Sequence, residues 1–216
     1  GQDFPNLEVL VMDGGTDAET EATVNRTRLP NGGSLRYVGE ADKGVYDAMN
    51  KALDLAQGRY VYFAGAGDSL RPGALASVQE KLPSDCTSLV YGNVLRGAEV
   101  YDGPFDRWRL CHRNICHQAA FYGREVFTLV GKFSLAYPAC SDWEFNMRCF
   151  AEARVAKCYI DTVVADFEKG GLSSRGDAAF NQDHWRLIAR HLGWLPMVRW
   201  ALAVQKAKAM ETLRRE

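Results

Sequence analysis

Hydrophobic positions along this chain switch between two periods. Four short apolar runs read as strands: LEVLVMDGG from Leu7, SLRYVGE from Ser34, YVYFAGAGD from Tyr60 and SLVYGNV from Ser88. The first stops at an Asp-Gly-Gly turn, after which Thr16 and Glu19 have capping-box spacing and predict a helix start. Val45, Met49, Ala52, Leu53 and Ala56 recur at helical spacing, and Gly58 fits the close of that helix. Pro72 suits the first position of a further helix. After Val94 the rhythm changes to a loop-rich stretch carrying Trp108, Cys111, His112, Cys116 and His117. A helix from about Ser141 follows, with Trp143, Met147, Phe150 and Ala151 on its buried face; then come the strand-like VAKCYIDTVVADFEK and a helical tail from Asp177. Strands alternating with helices predict an α/β fold whose mostly parallel central sheet has helices on both faces.

Composition narrows this picture. The 216 residues, 47% of them hydrophobic and 25% charged, fit one folded domain, residues 1–176, with a helical tail at 177–216. The net charge of −1 gives no reason to expect a nucleic-acid partner. No apolar run reaches the ~20 residues that span a bilayer. Six cysteines dispersed along the chain suit reduced thiols and a cytoplasmic setting.

Candidate chemistry gathers at the strand ends, where ligands bind in open α/β sheets. These ends carry Asp13, the segment EADKGVYDAMN (Glu40 to Asn50), and Asp68. An acid, a base, a glycine and a tyrosine crowd the start of a helix that needs only to pack, which marks a binding rim. The GAGD at Gly65–Asp68 is not a dinucleotide fingerprint, because the third glycine would fall at Leu70. Asp68 reads as a turn cap or as a carboxylate for Mg²⁺ or Mn²⁺ on a diphosphate, which needs only one or two protein carboxylates. Cys111, His112, Cys116 and His117 in CHRNICHQ invite a zinc reading, but adjacent Cys-His pairs do not match zinc-site spacings. Asp142 could serve only the macrodipole of its helix. Ser141 and Glu144 have capping-box spacing, however, so Asp142 is not needed as the cap.

Five blocks, LEVLVMDGGTDAET, EADKGVYDAMNKALDLAQGRYVYFAGAGDSL, ICHQAAFYGREVF, SDWEFNMR and FEKGGLSS, occur in order from Leu7 to Ser174. Together they resemble family 2 glycosyltransferases of the Rossmann-like GT-A fold, in the bacterial branch that builds surface polysaccharides. The resemblance implies inverting transfer of a sugar from a nucleotide-sugar donor to a saccharide or lipid-linked saccharide acceptor. It implies that Asp13 binds the base or ribose, that Asp42, Lys43 and Gly44 line the nucleotide pocket, and that Tyr46, Asp47 and Asn50 form the rim near the diphosphate. Asp68 would hold Mn²⁺ or Mg²⁺ at the end of the family's metal motif, whose first Asp is replaced by Gly67. Asp142 would be the general base. His117, Gln118, Trp143, Gly170, Gly171 and Ser173 would lie near the acceptor and diphosphate.

Family members carry a strand and helix before the segment matching Leu7, and that strand normally lies mid-sheet. The sequence is therefore expected to be a fragment of a longer protein, or else a short form that serves as a catalytically silent binding or assembly domain. In the tail, Trp194, Leu195, Val198, Trp200, Leu202 and Val204 mix with Arg199, Lys206, Lys208, Arg214 and Arg215. Such a helix suits the inner face of a membrane, a second subunit or the domain itself.

Overall fold

The computed structural model describes residue 2 and residues 4–101, 103–167 and 176–213. Gly170, Gly171 and Ser173 lie outside the described residues. In chain order the elements are β1 (Glu8–Asp13), α1 (Ala18–Arg26), β2 (Ser34–Gly39), α2 (Val45–Leu55), β3 (Tyr60–Tyr62), β4 (Ser69–Leu70), α3 (Ala74–Gln79) and β5 (Ser88–Arg96). Then follow β6 (Glu99–Tyr101), α4 (Arg107–His112), β7 (Ala120–Gly123), α5 (Arg124–Val130), α6 (Ser141–Ala151), β8 (Ala156–Asp166), α7 (Ala178–Leu187) and α8 (Trp194–Leu213).

The α/β class and the helical cover on both faces are as expected, but the pairing is mixed rather than mostly parallel. β1 and β2 form a parallel pair, and a second sheet runs in the order β3-β7-β5-β8-β4 with β6 beside β5. In that sheet β5–β8 is parallel, whereas β3–β7, β5–β7, β4–β8 and β5–β6 are antiparallel. The difference arises after Val94. A tight hairpin at Gly97, where φ is +64°, sends β6 straight back along β5, and β7 then enters between β3 and β5 in the opposite sense. Parallel neighbours need a crossover connection, whereas a hairpin joins antiparallel ones.

β5 is buried on both faces from Ser88 to Val94. Its alternation sends Leu89 and Tyr91 into one core cluster and Val90 and Val94 into the other. β7 repeats the pattern, with Tyr122 on the first face and Phe121 on the second. The second face is closed by Ala74 and Val78 of α3. The first face is larger and takes Leu110, Val126, Phe145, Met147, Phe180 and Ile188 from α4 through the residues after α7, so the tail shares the domain's main core. Gly92 marks a bulge between β5 and β8: a Cβ there would meet the Thr162 carbonyl oxygen at 2.6 Å.

Several local expectations shift. α1 is capped by Asp17, whose carboxylate accepts from Thr20 N–H, rather than by Thr16. An aspartate cap at position 17 leaves Thr16 in the preceding turn at φ +54°. The strand from Tyr60 stops at Tyr62, because the small residues after it fold into a turn closed by Asp68 N–H on the Gly65 carbonyl at 3.0 Å. α3 starts at Ala74 behind Gly73 in the left-handed region, so Pro72 precedes the helix instead of opening it. On α2 the buried anchor is Tyr46, while Val45 is exposed; on α6, Ala151 is exposed. α8 turns Met197 and Trp200 inward and leaves Trp194, Leu195, Val198 and Leu202 exposed.

Candidate active site

Tyr46 places its hydroxyl 2.8 Å from Asp142 Oδ1, joining the start of α2 to the start of α6 across 96 residues of sequence. Asn114 Nδ2 donates to Asp142 Oδ2 at 2.7 Å, so both oxygens of this carboxylate have a donor. Burial pushes the Asp142 carboxyl above its usual range; His117, the Tyr46 hydroxyl and the N–H groups of its own helix start oppose the rise without cancelling it. The result is a carboxylate that is more basic than an exposed one, fixed from two sides, on the first turn of a helix.

The helix start is held differently from the sequence expectation. Ser141 is not the cap: Cys140 occupies that position with no side-chain bond, and Ser141 Oγ is buried without a partner. The support comes from Asp177, whose Oδ2 accepts the Ala139 and Cys140 N–H groups at 2.9 and 3.1 Å. Its other oxygen caps α7 through Phe180 N–H at 3.0 Å. Asp177 sits 37 residues from Cys140 in sequence, so no local pattern points to it. Trp143 anchors the same turn by donating Nε1–H to the Leu110 carbonyl at 2.8 Å and packing on Phe180.

Asp68 stands at the turn after β3. Its Oδ2 accepts Gly65 N–H at 2.8 Å, its Oδ1 accepts Gln118 Nε2–H at 3.0 Å, and His117 Nε2 lies 3.5 Å from Oδ2. Burial would raise this carboxyl, but the His117, Gln118 and Gly65 donors outweigh it and hold the pKa at about 2. His117 lies electrostatically between the two acids. Burial lowers its pKa, and Asp68 and Asp142 outweigh burial, so the imidazole is held above its ordinary value. Gly67 has φ of +95°, a conformation that glycine accepts and an aspartate would adopt only under strain. A carboxylate-bearing residue at position 67 would thus sit against the local backbone geometry.

The rim around α2 has a geometry of its own. Gly44, at the helix cap, has φ of +118°, and Asp47 Oδ2 reaches back past it to accept the Lys43 N–H at 3.0 Å. Asp42 Oδ1 accepts Gly44 N–H at 2.8 Å and presses against Gly14, where a Cβ would meet its Oδ2 at 2.2 Å. The β1 and β2 turns therefore touch. Asp13 accepts from Gly15 N–H, Asp17 N–H and the Tyr37 hydroxyl, and these donors lower its pKa. Asn50 is engaged elsewhere: its amide clasps both the N–H and the carbonyl of Phe133, at 3.0 and 2.9 Å.

The cysteine–histidine stretch does not converge. Cys111 Sγ faces the Arg107 carbonyl, His112 packs on Trp108, and Cys116 Sγ lies 2.7 Å from Gln118 Oε1. Sequence reasoning picked out Tyr46, Asp68, His117, Gln118 and Asp142, which form one connected region. It missed Asn114, Asn146, Tyr122, Tyr37 and Asp177. Of these only Asn114 carried a signal, three positions before His117 in a stretch already marked for its chemistry.

Known proteins give this arrangement a context. The fold is similar to the crystal structure of S. aureus TarS 1-349 in complex with UDP-GlcNAc, with TM-score 0.63 at 15% identity over 88% of this chain and 59% of that one. It is also similar to the mannosyltransferase PcManGT from Pyrobaculum calidifontis in complex with GDP-Man and Mn²⁺, with TM-score 0.60 at 20% identity over 94% of this chain and 57% of that one. The chain thus spans less than two thirds of those solved proteins, and the shared part is the GT-A fold. A PGL/p-HBAD biosynthesis glycosyltransferase of Mycobacterium tuberculosis (strain ATCC 25177 / H37Ra) is 40% identical over 178 residues, covering 78% of this chain and 68% of the relative. The description Glycosyl transferase family 2 matches residues 1–140, well over half the sequence, and with the 40% identical relative this places the chain in that family.

Proposed function

We propose that this chain carries the transfer site of an inverting glycosyltransferase. The observation that carries the proposal is the Asp142 carboxylate: raised in basicity by burial, held at both oxygens, and connected through His117 to Asp68. A sugar hydroxyl is a weak nucleophile. Asp142 accepts its proton as the oxygen attacks C1 of the donor sugar, the bond from C1 to the diphosphate oxygen breaks, and the nucleoside diphosphate leaves with that electron pair. Asp142 ends the step protonated and returns its proton to solvent.

The His117 imidazole, held toward its charged form, offers positive charge to the departing diphosphate. Asp68 is the residue that would hold a divalent cation. Its donor chemistry fits: one hard oxygen ligand kept ionised down to about pH 2, enough for Mg²⁺ or Mn²⁺ when phosphate and water complete the shell. Among the described residues no group of three or more His, Cys, Asp or Glu could hold an ion alone, which suits a cation that arrives with the donor. Such a cation, when bound, neutralises charge that builds on the diphosphate. Asp13, Asp42 and Lys43 line the touching turns where the nucleoside is proposed to lie. The name of the 40% identical relative, with its role in PGL/p-HBAD biosynthesis, supports a biosynthetic transfer. A cytoplasmic site of action, where nucleotide sugars are made, goes with the same reading.

The test is a panel of UDP- and GDP-linked sugars offered to the purified chain with Mn²⁺, read by calorimetry for binding and by nucleotide release for turnover. One nucleotide class is expected to bind and to be released slowly to water. A folded protein that binds none of them would instead be the silent GT-A-like domain.

A further inference from the structure

Asn114 holds Asp142, and a buried chain holds Asn114. Asn146 Nδ2 donates to Asn114 Oδ1 at 2.8 Å, and the Tyr122 hydroxyl donates to Asn146 Oδ1 at 3.2 Å. Asn146 and Tyr122 are 0% and 1% exposed, on α6 and on β7, so neither the Asn146 amide nor the Tyr122 hydroxyl can exchange its partner for water. Three donors therefore point the same way along one line, Tyr122 to Asn146 to Asn114 to Asp142.

We infer that the Asn114–Asn146–Tyr122 chain is a positioning device that fixes Asp142 as a hydrogen-bond acceptor and so keeps the base ionised in a buried site. The reasoning is a count of donors and acceptors. An ionised carboxylate only accepts, which matches Asn114 Nδ2 and the Tyr46 hydroxyl. A protonated carboxyl must donate once: at Oδ1 it can donate to the Tyr46 oxygen only if that hydroxyl turns its own hydrogen away, and at Oδ2 it faces a donor. For it to donate to Asn114, that amide would have to flip, which turns its nitrogen toward Asn146 Nδ2 and forces Asn146 to flip in turn. That second flip takes from the buried Tyr122 hydroxyl the Asn146 oxygen that accepts its hydrogen. The line therefore holds Asn114 as a donor to Oδ2, a bond that is stronger to the charged carboxylate, and so opposes the desolvation that favours the neutral form. None of Asn114, Asn146 and Tyr122 is needed to contact substrate for this role.

The inference rests on Asp142 being the base, and the test separates the two. The groups that face Asp142 are Tyr46 on α2, His117 before β7, Tyr122 on β7 and Cys140 at the start of α6. Asn114→Leu removes the donor at similar volume. Its acid limb in the pH profile of kcat/KM is expected to move upward by about one to two pH units, the effect of one lost hydrogen bond to a charged group. Donor affinity by calorimetry should stay at the parental value. Tyr122→Phe, which cuts only the far end of the chain, should move the limb in the same direction by less. If Asn114→Leu fails to fold, Tyr122→Phe carries the test alone. A parental acid limb in whichever of these folds, with Asp142→Asn inactive, overturns the inference and leaves the base in place. An Asp142→Asn variant at the parental rate overturns both.

Discussion

Asp142→Asn is expected to lower kcat by roughly 10²–10⁴-fold, the usual contribution of acid–base catalysis. Nucleotide-sugar affinity should survive, because the residue is assigned to the acceptor hydroxyl. Asparagine keeps the shape and can still be seated: its carbonyl oxygen accepts from Asn114 while its nitrogen donates to the Tyr46 oxygen. What it loses is the ability to take a proton. Stability gives a second readout. The folded-state pKa of Asp142 is raised, so its contribution is favourable at low pH and is lost as pH rises through that value. At neutral pH the ionised group is a burden on the fold, and Asp142→Asn should melt at a slightly higher temperature than the parent. Loss of donor affinity in this variant would move Asp142 into the diphosphate shell. Full activity would reduce it to an acid that favours the helix dipole.

Asp68→Ala is expected to remove Mn²⁺-dependent donor binding altogether. The carboxylate is the one ionised oxygen donor at the turn after β3, and Gln118, His117 and Gly65 all point at it. Asp68→Asn is the sharper companion, because its amide oxygen can still accept from Gly65 N–H and preserve the turn while the negative charge is gone. Both variants should unfold as the parent does by circular dichroism. Calorimetry of a nucleotide sugar with and without Mn²⁺ then decides the assignment. If the metal strengthens binding equally in parent and variants, the cation is held elsewhere. If the parent binds donor equally well with and without Mn²⁺, the His117 imidazole serves the diphosphate without a metal.

Particular elements show what the sequence could and could not reveal. β5 was legible because its apolar run is buried along most of its length, and α6 because Met147 and Phe150 hold a helical spacing, although the buried Glu144 and Asn146 interrupt its apolar face. α2 was legible in extent but not in orientation: the apolar stripe pointed to Val45, whereas Tyr46 goes inward, where its hydroxyl meets the half-buried Asp142 carboxylate. The antiparallel pairings were hidden because β6 and β7 are short and their direction is set by a hairpin and a return, not by a periodicity. Within the site, the acids at strand ends stood out by position alone. The groups that tune them did not. Asn114 and Asn146 are ordinary polar residues until the fold brings them together across 32 positions, and Asp177 read as the opening of a tail rather than as the clamp on the Asp142 turn. Polar contacts between distant segments leave no period in a sequence.

A single displacement at C1 with Asp142 as the base leaves its record in the anomeric configuration of the product. With a donor whose sugar is α-linked to the nucleotide, the transferred sugar should appear in the β configuration, read from the anomeric proton coupling in the NMR spectrum of the first product formed. An α-linked product would require a second displacement or a front-side path, and would contradict the role given to Asp142.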